Sequence, residues 1–190
     1  MVYPVFDPNH NGAGGERLYA DACRAMVESD LDAVVAIEQS AHAHPWSRGN
    51  FADSLRAGHG AAVYVAPNAP HVPANQRVGE HALVGYWVAM PGFEESHLLN
   101  ITVASGFRRQ GWASRMMVDL IHWSLHIQAQ TLWLEVRDSN TGAQALYDHM
   151  GFERISVRKG YYPLSTRARE DAIVMSLHLG TGANPPTPCA

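Results

Sequence analysis

The sequence predicts a single α/β domain built on a mixed sheet. Short apolar runs typical of strands are interspersed with segments whose apolar residues recur at helical spacing. Neighbouring runs at both ends of the domain can pair as antiparallel hairpins. The length of 190 residues suits one domain, and the chain has no internal repeat.

The two ends of the chain differ in composition from its middle. They are rich in Gly, Pro and Asn and lack periodicity, so we expect a loose leader at 1–17, a folded domain at 18–179 and a loose tail at 180–190. Three prolines in the connection 67–80 predict a flexible flap between two antiparallel strands. The predicted strands cover 18–26, 61–65, 82–90, 97–103, 131–136, 153–159 and 172–179, and the predicted helices begin near 29, 47, 112 and 141.

Polar residues and glycine predict where the helices begin and end. Ser29 opens a Ser-Asp-Leu-Asp sequence that resembles a capping box, and Ser47 and Asn140 are predicted caps of two later helices. Gly151 is the predicted stop of the last helix. The helix over 112–127 has one apolar face and one polar face, and we expect the polar face to be solvated. The residues on that polar face are Arg115, Asp119, His122 and His126.

Composition and charge exclude several classes of protein. The net charge of -4 disfavours broad binding to nucleic acid, and no apolar run is long enough to span a membrane. Two cysteines cannot build a disulfide framework, so we expect a reducing, cytoplasmic environment. The chain has eleven histidines but no His-Glu-x-x-His motif, and we expect no metal site. His42 and His44 are expected to border a substrate groove or to pack.

A strand-loop-helix segment over 100–113 is the first candidate site. The apolar strand ends in a basic loop that contains glycine, and the loop runs into the long helix. The first turn of a helix has backbone N–H groups without intrahelical partners, which suit a diphosphate. An ordinary turn with two surface arginines is an equal alternative at this point. The dinucleotide and P-loop glycine patterns are absent, which disfavours nicotinamide cofactors and nucleotide phosphate loops.

Several motifs together resemble one family. Arg108-x-x-Gly111-x-Ala113 matches the Gln/Arg-x-x-Gly-x-Gly/Ala signature of the GNAT acetyltransferases. The segments 132–140 and 145–152 follow in the order of that family, and 37–47, 161–163 and 169–175 resemble its ribosomal-protein-alanine N-acetyltransferases, the RimI type. The resemblance covers about 20–179, apart from the insertion at 67–80.

The resemblance implies a GNAT fold, with a mostly antiparallel sheet splayed where acetyl-CoA inserts, and no metal. It implies that Glu135 is the general base and Tyr147 the general acid. An isolated glutamate in a strand more often faces solvent, and an isolated helical tyrosine usually packs, so both roles depend on the resemblance. The implied cofactor-binding residues are Ile101, Thr102, Val103, Arg108, Arg109, Gln110, Gly111, Trp112, Ala113, Ser114 and Asn140, and the candidates for substrate binding are Glu38, Trp46, Asp138 and Tyr161.

The implied reaction transfers acetyl from acetyl-CoA to an N-terminal alanine of a ribosomal small-subunit protein. An α-amine has a reference pKa of roughly 7.7–8.0 against about 10.4 for lysine, so one carboxylate is an adequate base for it. Two alternatives stay open: the same fold acting on lysine side chains or small amines, and a CoA-binding module without catalysis. The sequence leaves the oligomeric state open.

Overall fold

The computed structural model describes residues 23–67, 69, 71–164 and 168–180. Among these residues, eight strands form one sheet, and four α-helices pack on its two faces. The helices are α1 (Leu31–Ala41), α2 (Arg48–Arg56), α3 (Trp112–His126) and α4 (Thr141–His149). The strands are β1 (Cys23–Ala25), β2 (Gly60–Ala66), β3 (Arg77–Val78), β4 (His81–Pro91), β5 (Glu95–Val103), β6 (Thr131–Arg137), β7 (Glu153–Pro163) and β8 (Arg169–His178).

The sheet is mixed and mostly antiparallel, which confirms the predicted fold class. Its strand order is β1-β2-β4-β5-β6-β8-β7, with β3 paired to β4. One pair of described strands, β5 with β6, is parallel, and α3 supplies the crossover connection between them. Every other pair of neighbouring described strands is antiparallel.

Two apolar cores lie on opposite faces of the sheet. On one face, α3 packs through Met116 and Leu120 against Leu132 and Leu134 of β6. On the other face, α1 and α2 pack against alternate residues of β2 and β4. Successive side chains of a strand point to opposite faces, and every second residue of β6 is buried. The buried residues of β6 therefore all face α3.

A bulge in β5 separates two neighbouring strands at the centre of the sheet. The pairing between β4 and β5 steps from Leu98 opposite Ala89 to Asn100 opposite Val88, so Leu99 is an extra residue. The ladder between β5 and β6 ends at the pair Leu98 and Leu134. Beyond that pair β5 continues on β4 and β6 continues on β8, which leaves a gap between β5 and β6.

The first helix begins differently from the prediction. A 3-10 turn covers Glu28–Asp30, and α1 starts at Leu31 without a side-chain cap. The predicted cap at Ser29 is therefore wrong. The buried Asp30 carboxylate instead accepts a hydrogen bond from the Val27 N–H (2.9 Å) and pairs with Arg24 at 2.6 Å. The bidentate ion pair of Arg24 with Asp30 thus stabilises the start of α1, where the Ser29 hydroxyl was expected to act as a cap.

The polar face of α3 is not fully solvated, contrary to expectation. Asp119 is half-buried and accepts a hydrogen bond from the Tyr64 hydroxyl of β2 at 2.8 Å. Burial raises the pKa of Asp119. The contact comes from a neighbouring strand, which a helical periodicity does not reveal.

The other predicted boundaries agree with the structure to within a few residues, as far as they are described. The first strand is described only from Cys23, and the expected leader and most of the expected tail lie outside the described residues. The connection 67–80 joins antiparallel strands as predicted, and its described part contains a 3-10 turn (Ala74–Gln76) and strand β3. No described helix is long and apolar enough to cross a bilayer.

The close approach of β4 to β5 at the gap predicts the effect of one substitution. A Cβ added at Gly85 would lie 2.5 Å from the Thr102 carbonyl oxygen and 3.2 Å from the Met116 sulfur. We expect Gly85→Ala to lower the free energy of unfolding by about 1–3 kcal/mol, because backbone of the neighbouring strand must move. Gly142→Ala in α4 is the control, since a Cβ there meets no atom within 4 Å. Urea unfolding of both variants checks this; equal stabilities would contradict it.

Candidate active site

The gap between β5 and β6 has two differently lined sides. Past the bulge, Asn100 and Thr102 face α1, while Ile101 and Val103 pack on the α3 side. The backbone of β5 keeps its ladder with β4 through Val103, but after Leu98 no described strand pairs with its other edge. An extended ligand can therefore pair with this free edge, as a strand would.

The loop between β5 and α3 exposes backbone at the mouth of the gap. Arg109 and Gly111 both have left-handed backbone, with φ of 61° and 81°. Gly111 is the N-cap residue, so no side chain caps the first turn of α3. The N–H groups of that turn are therefore available to an anion, and the helix dipole favours negative charge there.

The predicted loop residues differ in exposure. Arg108, Arg109 and Gln110 are exposed, whereas Trp112, Ala113 and Ser114 are half-buried. The Arg108 guanidinium donates to the Val103 carbonyl at 3.2 Å, and the Gln110 amide donates to the Gly106 carbonyl at 3.0 Å. These two side chains brace the loop in the described structure.

Glu135 lies on the face of β6 that points away from α3. Its neighbours Leu134 and Val136 are buried in the α3-side core, so alternation directs Glu135 to the opposite face. Its carboxylate pairs with the Arg158 guanidinium of β7 at 2.7 Å. Hydrogen bonding to this carboxylate raises the pKa of Tyr161, whose ring also lies 5.4 Å from the Arg158 guanidinium carbon.

Tyr147 is buried on the α4 side and packs against Phe152, with ring centroids 5.7 Å apart. Burial and the nearby Tyr162 phenol raise the pKa of Tyr147 well above its usual range. The Tyr162 hydroxyl donates to the Glu135 backbone carbonyl at 3.3 Å. Burial also raises the pKa of Tyr162, to about 12. Tyr162 thus lies between the two predicted catalytic residues.

The Glu38 carboxylate is used inside the protein. It is buried, and it ties the loop between α1 and α2 to strands β4 and β5. It accepts hydrogen bonds from the Trp46 N–H (2.9 Å), the Asn100 side-chain amide (3.1 Å) and the Tyr86 hydroxyl. Its predicted role of direct contact with substrate does not fit this geometry, and we assign it to positioning.

The remaining predicted substrate and cofactor residues lie on two separate segments of the chain. Trp46 packs on Phe51 with ring centroids 5.2 Å apart, in the loop that Glu38 holds. Asn140 caps α4 as predicted, accepting from the Ala143 N–H at 3.2 Å. Asp138 is exposed beyond the end of β6 and acts electrostatically on Arg154 of β7.

Comparison with known proteins agrees with this geometry. The family model described as "Acetyltransferase (GNAT) family" matches residues 31–152. The chain belongs to the GNAT acetyltransferase family. The [ribosomal protein bS18]-alanine N-acetyltransferases of Haemophilus ducreyi and Escherichia coli are 34% and 35% identical to it; the matches cover 81% and 80% of this chain and 97% and 94% of theirs. The crystal structure of the Escherichia coli ribosomal-protein-S18-alanine N-acetyltransferase has a TM-score of 0.71 and 32% identity, over 85% of this chain and 95% of that one.

GNAT acetyltransferases use acetyl-CoA, and the residues of this chain fit such a ligand. The uncapped amino end of α3 suits a diphosphate, and a Cβ at Gly106 or Gly111 would meet no protein atom within 4 Å. The free edge of β5 suits the amide groups of a pantetheine arm. Among the described residues, no cluster of three His, Cys, Asp or Glu side chains could hold a metal ion.

Contacts of four residues at the site were not predicted from the sequence. Tyr86 and Asn100 hold Glu38, and Arg158 and Tyr162 contact Glu135. Arg158 and Tyr162 follow a shift in the pairing of β7 with β8, so their positions depend on tertiary structure. The sequence did contain a signal of one contact at the site: Glu38 and His42 are one helical turn apart, a spacing at which side chains interact.

The left-handed backbone of Gly111 predicts a change in cofactor affinity. A Cβ in this conformation costs about 1–2 kcal/mol, so Gly111→Ala will shift the loop that presents the α3 N–H groups. We expect acetyl-CoA affinity to fall about tenfold by isothermal titration calorimetry. Gly58→Ala, in the turn after α2 with the same left-handed backbone and open space, is the control. Equal affinities for the two variants would refute the assignment of this loop.

Proposed function

We propose that this protein transfers the acetyl group of acetyl-CoA to the α-amine of the N-terminal alanine of ribosomal protein bS18. The gap that the bulge opens between β5 and β6 carries this proposal, because Glu135 directly follows the last residue of β6 that pairs with β5. The names of the relatives supply the acceptor. This acceptor suits a single carboxylate base, since an α-amine is uncharged a few hundredfold more often than a lysine at neutral pH.

We assign three tasks to the residues around the gap. The amino end of α3 and the loop from Arg108 to Ser114 bind the pyrophosphate of acetyl-CoA. Glu135 accepts a proton from the attacking nitrogen, directly or through water. Tyr147 gives a proton to the departing thiolate, and because burial raises the pKa of its phenol, Tyr147 is in the acid form before the transfer.

The direct test is mass spectrometry of a synthetic peptide that begins Ala-Arg-Tyr, incubated with the protein and acetyl-CoA. Fragmentation locates the added acetyl. Acetylation of the α-nitrogen supports the proposal, and an N-terminally blocked copy of the peptide must then stay unmodified. Acetylation of a lysine side chain instead, or acetyl-CoA binding without any transfer, would overturn it.

Removing the carboxylate of Glu135 is expected to stop the reaction without preventing cofactor binding. Glu135→Gln keeps the shape of the side chain but cannot accept a proton, and we expect kcat/KM for the peptide to fall by about 10²-fold or more. Glu153→Gln, which changes an exposed glutamate of β7, is the control. Wild-type kcat/KM in Glu135→Gln would rule out the base assignment.

The buried phenol predicts the alkaline side of the pH profile. Because burial raises the pKa of Tyr147, its acid form persists as pH rises past the ordinary tyrosine value of about 10. We expect kcat to stay level from pH 8 to 10, and Tyr147→Phe to lower kcat by a similar factor throughout. Tyr64→Phe, which removes another buried hydroxyl on β2, controls for packing. An alkaline loss near pH 9 that disappears in Tyr147→Phe would contradict this prediction.

A further inference from the structure

A glutamate and a histidine one helical turn apart form a pair beside the gap. Glu38 lies in α1 and is 2% exposed, while His42 follows the end of α1 and its side chain is 41% exposed. The His42 Nε2 atom is 3.3 Å from Glu38 Oε2 and 2.8 Å from the Thr102 hydroxyl oxygen. The imidazole therefore has one edge against buried oxygen atoms and the other toward solvent.

Counting hydrogen atoms assigns the proton of the neutral imidazole. The Thr102 hydroxyl has one proton, and two acceptors share it: Asn100 Oδ1 at 3.2 Å and Glu38 Oε2 at 3.4 Å. A proton on His42 Nε2 satisfies both of its contacts, whereas a lone pair there would face the carboxylate. The contacts thus place the proton on Nε2, and Nδ1 is the free acceptor.

His42 borders the same side of the gap as Glu135. Thr102 contacts His42 and lies in the part of β5 that no longer pairs with β6. Its side chain faces α1. Glu135 also points away from α3, from the neighbouring strand β6. The Glu135 carboxylate is engaged by Arg158, while no described residue bonds His42 Nδ1.

The stoichiometry of the proposed reaction requires two proton transfers from the attacking nitrogen. An α-ammonium carries three protons and the product amide carries one, so two protons leave the nitrogen for each acetyl transferred. The first must leave before attack, because an ammonium has no free electron pair. Glu135 accounts for one of the two.

We propose that His42 is the second proton acceptor, and that Glu38 and Thr102 are its positioning residues. This proposal rests on the proposed function. His42 Nδ1 takes the first proton from the peptide ammonium, and the exposed imidazolium returns it to solvent. The amine then forms the C–N bond as the C–S bond breaks, and Glu135 takes the second proton and later releases it to solvent. The thiolate takes a proton from Tyr147, which regains one by exchange with solvent, so one proton is released overall.

The surroundings of His42 favour this role. The Glu38 carboxylate faces it from α1 and the Thr102 hydroxyl from β5, while Asn100 and the Tyr86 phenol of β4 complete the bonds to Glu38. Burial and Glu38 raise the pKa of Tyr86, which therefore stays neutral. A buried carboxylate behind a partly exposed imidazole orients the ring and stabilises the imidazolium, as in catalytic triads.

The test is the pH dependence of peptide acetylation in His42→Gln. We expect kcat/KM at pH 6.5 to fall at least tenfold, because the variant must wait for solvent to deprotonate the ammonium. By pH 9, above the α-amine reference pKa of roughly 7.7–8.0, we expect the variant to approach wild type. His126→Gln, which removes an exposed histidine of α3, is the control and should match wild type at both pH values.

The outcomes separate this inference from the proposed function. A loss in His42→Gln that is equal at both pH values would mean that His42 only supports the loop, and no loss would also overturn the inference. If the wild-type protein does not acetylate the α-amine at all, the proposed function itself fails.

A second pair of variants tests the positioning. Thr102→Val removes the hydroxyl that bonds His42 and keeps the branched shape, so we expect a smaller loss with the same recovery at pH 9. Thr102→Ser restores the hydroxyl and should recover most of the loss. Thr102→Val behaving as wild type at pH 6.5 would overturn the positioning role.

Discussion

The site depends on one extra residue in β5. Because Leu99 is inserted opposite a single position of β4, the strand bends and its side chains change face, while its ladder with β4 continues. The same step ends the pairing with β6. Without the bulge, β5 and β6 could remain paired to their ends, and neither a free strand edge nor a gap would exist. Asn100 and Thr102 would also point toward α3 and could not reach Glu38.

A buried carboxylate provides the second constraint. Glu38 replaces its lost hydration with donors from three directions: the backbone of the loop after α1, an amide from β5 and a phenol from β4. A buried charge is tolerable only when it is surrounded in this way, and its bonds then allow few other arrangements. The loop after α1 is thereby held against the strand that lines the gap, and His42 with it.

The sequence predicted those parts that depend on local chemistry. The cap at Asn140, the stop at Gly151 and the exposed loop before α3 follow from residue type and spacing, and the structure contains them. The bulge at Leu99 could not be predicted, because an aliphatic residue in an apolar strand gives no signal of irregular pairing. The Ser29 cap failed because Arg24 supplies a partner to Asp30, and Asp119 is half-buried because Tyr64 reaches it from another strand. Both failures arise from contacts between elements.

The ion pair between Arg158 and Glu135 has a consequence for the protein before any peptide arrives. The guanidinium neutralises a carboxylate that would otherwise stand without a cation beside the gap. Because Arg158 is more than half exposed, the pair contributes little to stability, and water can replace either partner at small cost. In the proposed reaction, an incoming ammonium would therefore replace one cation at Glu135 by another, and the carboxylate would keep a positive partner while the peptide binds.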